Sequence, residues 1–122
     1  MLKKTVTLGI LIVLGVFGSS CKKTTVKTTC DRACLVDMMD QYLAAVVQHN
    51  PAGVPIASDV KFVENLNAIP VGKGLWETAS AGPTDFKIYV ADPVAQEIGF
   101  MGVLQDKGKP VLLGARLKRV DG

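Results

Sequence analysis

The amino-terminal segment constrains this chain more than any other part of its sequence. Lys3 and Lys4 precede residues 6–18, which are apolar apart from one threonine and three glycines, and Ser19-Ser20-Cys21 follows. A basic start, an apolar stretch of about a dozen residues and a small-residue exit are typical of a bacterial export signal. The stretch is shorter than the ~20 residues that cross a bilayer. We therefore expect residues 1–20 to be a cleaved signal peptide.

The cysteine at the end of this segment predicts a lipid anchor. Gly18-Ser19-Ser20-Cys21 resembles the lipobox of bacterial lipoproteins, where the signal is cut before a cysteine that carries diacylglycerol and an acylated amine. The usual lipobox has leucine at the place of Gly18, so an ordinary signal peptide with a free Cys21 thiol is the alternative. Lys22 stands where enterobacterial lipoproteins retained in the inner membrane have aspartate. The resemblance thus implies anchoring to the periplasmic face of the outer membrane.

Removal of the leader changes the charge of the chain. The formal net charge of +3 comes from 14 Lys and Arg against 11 Asp and Glu, and the loss of Lys3 and Lys4 leaves it near neutral. Such a balance argues against a nucleic-acid partner. Residues 21–29 hold three lysines, four threonines and one valine after Cys21, too little apolar surface to fold, so we expect a tether. Residues 30–122 are left for one domain.

The first folded element is predicted to be a helix over residues 30–49. Thr28 or Thr29 is placed to cap it, and Asn50-Pro51 ends it. Its apolar residues recur at spacings of three and four: Leu35, Met38, Met39, Tyr42, Leu43 and Val46. His49 falls in the last turn, where it is either a capping residue that complements the helix dipole or a catalytic group.

Two further cysteines lie at the start of this helix. Cys30 and Cys34 are four residues apart, which puts them on one helical face with Cα atoms about 6 Å apart. An exported protein enters an oxidising compartment, so we expect a disulfide that clamps the start of the helix. The sequence has no Cys and His cluster with metal-ligand spacing, and we expect no metal or cofactor.

The rest of the chain predicts an antiparallel sheet. Residues 59–65, 86–91, 97–105 and 110–120 have strand patterns, residues 75–79 form a turn or a short strand, and residues 106–109 form a hairpin turn. One long helix followed by a curled meander is an α+β arrangement. The last strand, residues 111–119, has no successor. Either a strand is missing through truncation, or an edge is left for a partner such as a second copy in a homodimer.

Several motifs in this order resemble the nuclear transport factor 2-like superfamily, which includes the SnoaL-like polyketide cyclases and the ketosteroid isomerases. The superfamily features are residues 40–46, His49-Asn50-Pro51 and Val63-Glu64-Asn65. The features of an uncharacterised secreted SnoaL-like branch are residues 30–35, 62–65, 74–76 and 91–93. The resemblance implies a long helix packed on a curved antiparallel sheet that forms a cone with an apolar pocket.

The same resemblance supplies candidate site residues. The position of the isomerase general base holds Asn65, and an amide does not shuttle a proton. Alternation along a strand sends the neighbouring Glu64 to the opposite face. Tyr42 matches a tyrosine of the isomerase helix, although its place on the apolar stripe also fits a packed core residue. Trp76 and Tyr89 are the other expected pocket residues, and the alternative for Trp76 is the core.

Two functions follow as expectations. The first is a membrane-anchored domain that binds a small apolar ligand or a protein partner, with Tyr42, Asn65, Trp76 and Tyr89 at the pocket. The second is an enzyme of the cyclase, isomerase or dehydratase type that uses His49, Glu64 or Tyr42. Asn65 at the base position favours the first.

Overall fold

A computed structural model of the chain describes residues 29–120. The predicted signal peptide, the predicted lipid site at Cys21 and nearly all of the predicted tether lie outside the described residues, as do residues 121–122.

The main helix, α1, spans Arg32–Val47. Its N-cap is Asp31, whose Oδ1 accepts a hydrogen bond of 2.9 Å from the Cys34 amide. The expected cap at Thr28 or Thr29 is therefore wrong, because the carboxylate three residues before Cys34 satisfies the free amide of the first turn. The predicted stripe is buried at Leu35, Met39, Leu43 and Val46.

The end of α1 is closed by two backbone hydrogen bonds that span three and five residues, in place of the four-residue span of an α-helix. The amides of His49 and Asn50 donate to the carbonyls of Val46 and Ala45, each at 3.0 Å. His49 has φ +54°, a left-handed conformation that a helix cannot continue through. The helix therefore stops two residues before the predicted end, and His49 lies just beyond it.

The strands are short at first and long at the end. After a single 3₁₀ turn at Pro51–Gly53 come β1 (Val63–Glu64), β2 (Asn67–Ala68), the one-turn helix α2 (Leu75–Thr78), β3 (Ala79–Ala81), β4 (Lys87–Asp92), β5 (Glu97–Asp106) and β6 (Lys109–Lys118). The prediction of one strand over residues 59–65 is wrong. Asn65 and Leu66 have φ +48° and +68°, so the chain turns back and β1 pairs with β2.

The principal sheet is antiparallel and centred on β5. On one side, β6 pairs with β5 over all ten residues; on the other, β4 pairs with one half of β5 and β3 with its end. Lys107 and Gly108, with φ +50° and +74°, form the predicted hairpin turn. The α+β class, with one main helix and an open antiparallel sheet, is confirmed. Within residues 29–120, β6 has no partner on its outer side.

The hydrophobic core lies between α1 and one face of this sheet. Leu35, Met39 and Leu43 pack with Ile98 and Phe100 of β5, and all five are buried. A second cluster joins the end of α1 to α2 and β3 through Ala45, Val46, Trp76 and Ala79. Burial of each large side chain stabilises the fold by roughly 1.5–3 kcal/mol.

The start of α1 is fixed by a disulfide and by Gln96. Cys30 and Cys34 form a disulfide with Cα atoms 5.3 Å apart. The Cys30 amide donates to Gln96 Oε1 at 2.9 Å, and Gln96 Nε2 donates to the Cys30 carbonyl at 2.8 Å. Arg119 Nη1 also donates to Gln96 Oε1, at 3.1 Å. One side chain thus joins the chain before α1, the β4–β5 turn and the end of β6.

We predict that the disulfide stabilises the fold by about 2 kcal/mol, because it closes a loop of five residues in the unfolded chain. In urea denaturation, the free energy of unfolding of the oxidised protein should exceed that of the reduced protein by this amount. The Cys30→Ala/Cys34→Ala variant serves as the control and should be insensitive to reductant. Equal stability of the oxidised and reduced wild-type protein would contradict the prediction.

Candidate functional site

Three of the expected site residues meet at the carboxyl-terminal end of α1. Trp76 on α2 is buried and packs edge-on against Tyr42, with ring centroids 5.3 Å apart and an interplanar angle of 88°. The His49 Nδ1–H donates to the Trp76 carbonyl at 2.6 Å. His49, the second residue after the helix, thereby fixes the position of α2 against α1.

Glu64 approaches the same region from β1. Its Oε2 accepts a hydrogen bond of 3.0 Å from the Leu75 amide at the start of α2. The preceding residue, Gly74, has φ +66°, and a Cβ atom built there would overlap the Glu64 carboxylate. Glu64 therefore acts as a side-chain cap for α2, and the carboxylate fills the space that the missing Cβ leaves.

The environment of Tyr42 favours its protonated form. Burial raises the pKa of Tyr42 most strongly, the neighbouring Trp76 side chain lowers it, and the charge of Glu64 raises it again, so that the net direction is upward. Tyr42 and Trp76 fill the core at this end of the molecule, in agreement with the structural alternative for both residues.

Asn65 does not take part in this cluster. It lies exposed in the turn between β1 and β2, where its φ of +48° is one that asparagine tolerates better than most residues. The expectation that Asn65 lines a pocket is not met, because the chain reverses direction at this residue. The expectation that Glu64 turns away from the candidate site is not met either, since its carboxylate reaches back to α2.

Tyr89, the remaining expected pocket residue, lies on the helix-facing side of β4. Its ring packs against Phe100 with centroids 5.4 Å apart, and its hydroxyl donates to Oδ1 of Asp40 on α1. Burial, followed by the hydrogen bond and charge of Asp40, raises the pKa of Tyr89 to about 12. Asp40 is not among the predicted site residues, and no local sequence signal marks it, because Asp40 and Tyr89 are 49 positions apart.

A groove lies beside this pair, between α1 and the segment that leads into β4. It has a volume of about 280 Å³, with Leu43, Val47 and Pro83 among its apolar residues and Asp40 and Lys87 among its charged ones. This volume is slightly below the range typical of small-ligand pockets. No group of three His, Cys, Asp or Glu side chains within residues 29–120 is placed to hold a metal ion.

The side of the sheet that faces away from α1 exposes large apolar side chains. Ile88 lies opposite Met101 in the β4–β5 register. The same face carries the side chains of Val90 on β4, of Leu112 on β6 and of Phe86, the residue before β4. We define the outer sheet face as Phe86, Ile88, Val90, Met101 and Leu112, which are each between 44% and 68% exposed. The sequence indicates this face through β4, in which apolar and polar residues do not alternate. Ile88 and Val90 are apolar on the outer side, and Tyr89 and Ala91 lie on the side that faces α1.

Comparison of the chain with protein-family models, with curated proteins and with solved structures finds no match. Membership of the nuclear transport factor 2-like superfamily accordingly stays a prediction. Within residues 29–120, no helix has both the length and the apolar composition needed to span a bilayer.

We predict that Gly74→Ala destabilises the protein by about 1–3 kcal/mol, because the new Cβ displaces the Glu64 carboxylate and an L-residue is strained at this backbone conformation. Gly82→Ala is the matched control, since its added Cβ meets no atom within 4 Å. Thermal and urea unfolding measure both effects. A cost for Gly82→Ala as large as that for Gly74→Ala would show that Glu64 does not cap α2 as described.

We also predict that Tyr89 ionises near pH 12 and that Asp40→Asn lowers this pKa while leaving it above the ordinary value. The chain has two tyrosines, so Tyr42→Phe isolates Tyr89 in an ultraviolet absorbance titration. Because the folded-state pKa is raised, the stabilisation from Tyr89 is present below about pH 10 and is lost as the pH rises towards 12. An unchanged titration curve in Asp40→Asn would rule out the contribution of that carboxylate.

Proposed function

We propose that this chain is an exported lipoprotein whose domain acts by binding a protein partner. In this proposal Cys21 carries the lipid, residues 22–29 form the tether, and the protein is held at the periplasmic face of the outer membrane. Support comes from the basic start, the apolar stretch and the small residues before Cys21.

The observation that carries the binding proposal is the outer sheet face. Scattered apolar residues are normal on protein surfaces, but here five large ones are exposed on the same side of β4, β5, β6 and the residue before β4. Grouped exposed apolar side chains are typical of sites that bind a protein, a membrane or a ligand. A partner protein that covers this face removes apolar surface from water and gains a corresponding free energy.

The positions of the titratable residues favour binding over catalysis. His49 and Glu64 hydrogen-bond with backbone groups of α2 and thereby hold that helix in place. Tyr42 is a packed core residue with a raised pKa. These groups have structural roles that explain their positions, and Asn65 lacks the chemistry of a general base.

A small apolar ligand in the groove is a second candidate, and the groove volume of about 280 Å³ together with Leu43, Val47 and Pro83 is the observation that favours it. The cyclase, isomerase or dehydratase alternative would use the same groove, because Asp40 and Tyr89 are two titratable groups that meet beside it.

The SnoaL-like cone is likewise proposed. Its support is the sequence motifs and the packing of α1 against an antiparallel sheet.

The binding proposal is tested by photo-crosslinking the lipoprotein in its native envelope. A photoreactive phenylalanine analogue at Val90 on the outer sheet face should give a discrete crosslinked product. The same analogue at exposed Ser58 is the control and should not give it. Met101→Lys, a substitution on the same face, should abolish the product at position 90. No product at position 90, or the same products at both positions, would contradict partner binding through this face.

The anchor is tested separately by mass spectrometry of the exported protein. The amino-terminal peptide should begin at Cys21 and carry the mass of diacylglycerol and an amide-linked acyl chain, and Cys21→Ser should release the protein from membranes. An unmodified Cys21 in a chain cut elsewhere would support the ordinary signal peptide.

A further inference from the structure

The outer edge of β6 presents backbone groups that nothing in residues 29–120 satisfies. The Val103 amide donates to the Phe86 carbonyl, and its carbonyl accepts from the Thr84 amide, so odd-numbered residues of β5 point towards β4. Even-numbered residues of β5 therefore bond to β6, where they pair with odd-numbered residues. It follows that the amides and carbonyls of Leu112, Gly114, Arg116 and Lys118 point away from the sheet.

The apolar side chains of β6 that face α1 are incompletely covered. Leu113, Ala115 and Leu117 pack against the core cluster but are only half-buried. Their partners on β5, Ile98 and Phe100, are buried. The difference arises because β5 has a strand on both sides and β6 has one on a single side. A further strand beside β6 would cover this row.

The edge also carries an excess of positive charge. The Glu97 carboxylate contacts both Arg116 Nη2, at 2.6 Å, and Lys118 Nζ, at 3.3 Å, so two cations share one anion on the outer side of the sheet. β6 contains no acidic residue. An added strand with a carboxylate on this side would balance the remaining charge.

The charge argues against two occupants from this chain itself. A second copy paired antiparallel about Gly114 would place Lys109 opposite Arg119 of the other copy, and Pro110, which has no amide hydrogen, opposite Lys118. Residues 22–28 contain three lysines and no acidic residue, so they would add like charge to the edge.

We propose that β6 is a docking edge for an extended segment of another protein in which apolar residues alternate with Asp or Glu. The apolar residues extend the row of Leu113, Ala115 and Leu117, and the acidic ones meet Arg116 and Lys118. Main-chain hydrogen bonds supply affinity, and the alternation supplies selectivity. The inference rests on the proposed function only in taking the domain to be a protein-binding one, since the edge binds through backbone groups of β6 and shares only Leu112 with the outer sheet face.

The test measures calorimetric binding of synthetic decapeptides to the purified mature lipoprotein in detergent. The probe alternates valine and glutamate; one control has lysine in place of glutamate, and another is the probe with N-methyl groups on all of its backbone nitrogens, which leaves neither edge of the peptide able to donate. The probe should bind at least about tenfold more tightly than either control. Equal binding of the glutamate and lysine peptides would overturn the charge argument, and undiminished binding of the methylated peptide would overturn strand addition.

Variants of the protein test whether the probe peptide binds at the edge of β6. Gly114→Pro removes an outward amide without touching the β5 ladder and should weaken probe binding about tenfold. Gly114→Val keeps the amide, its Cβ meets no atom within 4 Å, and it should bind as the wild type does. Lys118→Gln should narrow the preference for glutamate over lysine. Thermal unfolding verifies that each variant is folded, and the methylated peptide tests the proposal independently of any variant.

Two further outcomes would overturn the inference. One is a dimer in sedimentation equilibrium that Gly114→Pro dissociates, which would make a second copy the occupant. The other is equal binding of the probe to the wild type and to folded Gly114→Pro. If the probe does not bind β6 but the crosslink at Val90 persists, the docking edge is rejected and the proposed function stands. If the probe binds β6 but the crosslink at Val90 is absent, the outer sheet face alone is rejected as a binding site.

Discussion

The packing of one helix on one face of β5 is the interaction on which the rest of this structure depends. Leu35, Met39 and Leu43 of α1 meet Ile98 and Phe100 of β5, and these residues hold the largest cluster of the core. The chain supplies no second helix of comparable length within residues 29–120. One layer of helix can cover only one face of a sheet, so the opposite face and the outer edge stay open.

This asymmetry explains how the polar residues are used. His49 and Glu64, two of the predicted candidates for catalysis, hold α2 at the end of α1, where Trp76 completes the core. Gln96 and the disulfide fix the other end of α1 to the turn between β4 and β5. Both ends of the helix are thus secured against the sheet, and the outer sheet face and the edge of β6 are the parts of the sheet that α1 leaves uncovered.

The sequence predicts those parts of the fold that local chemistry decides. The apolar stripe of α1, the three long strands and the turn at Lys107-Gly108 depend on neighbouring residues, and the Cys30–Cys34 pair is only four positions apart, although Cys30 lies before α1 and not in it. The helix cap is missed because Asp31, Thr28 and Thr29 are all acceptable caps, and only the backbone geometry selects among them.

The parts that were not predicted depend on distant or ambiguous contacts. The strand around Val63 is cut short by positive φ angles at Asn65 and Leu66, although leucine gives no signal for such a turn. The Asp40–Tyr89 contact joins two elements that only the fold brings together. The sequence of β4 indicates an apolar outer face, because the strand has apolar residues on both of its faces. The same pattern also fits a strand that is buried on both sides, so it does not predict that the outer face is exposed.

Residue-resolved amide hydrogen exchange of the free protein shows whether the sheet, which α1 covers on one face, is open at the edge of β6. We predict alternation along β6: the amides of residues 111, 113, 115 and 117 exchange slowly, and those of residues 112, 114, 116 and 118 exchange at rates near those of unstructured peptide. Slow exchange of both sets would mean that the edge is already covered in the free protein and that β6 is not an open edge.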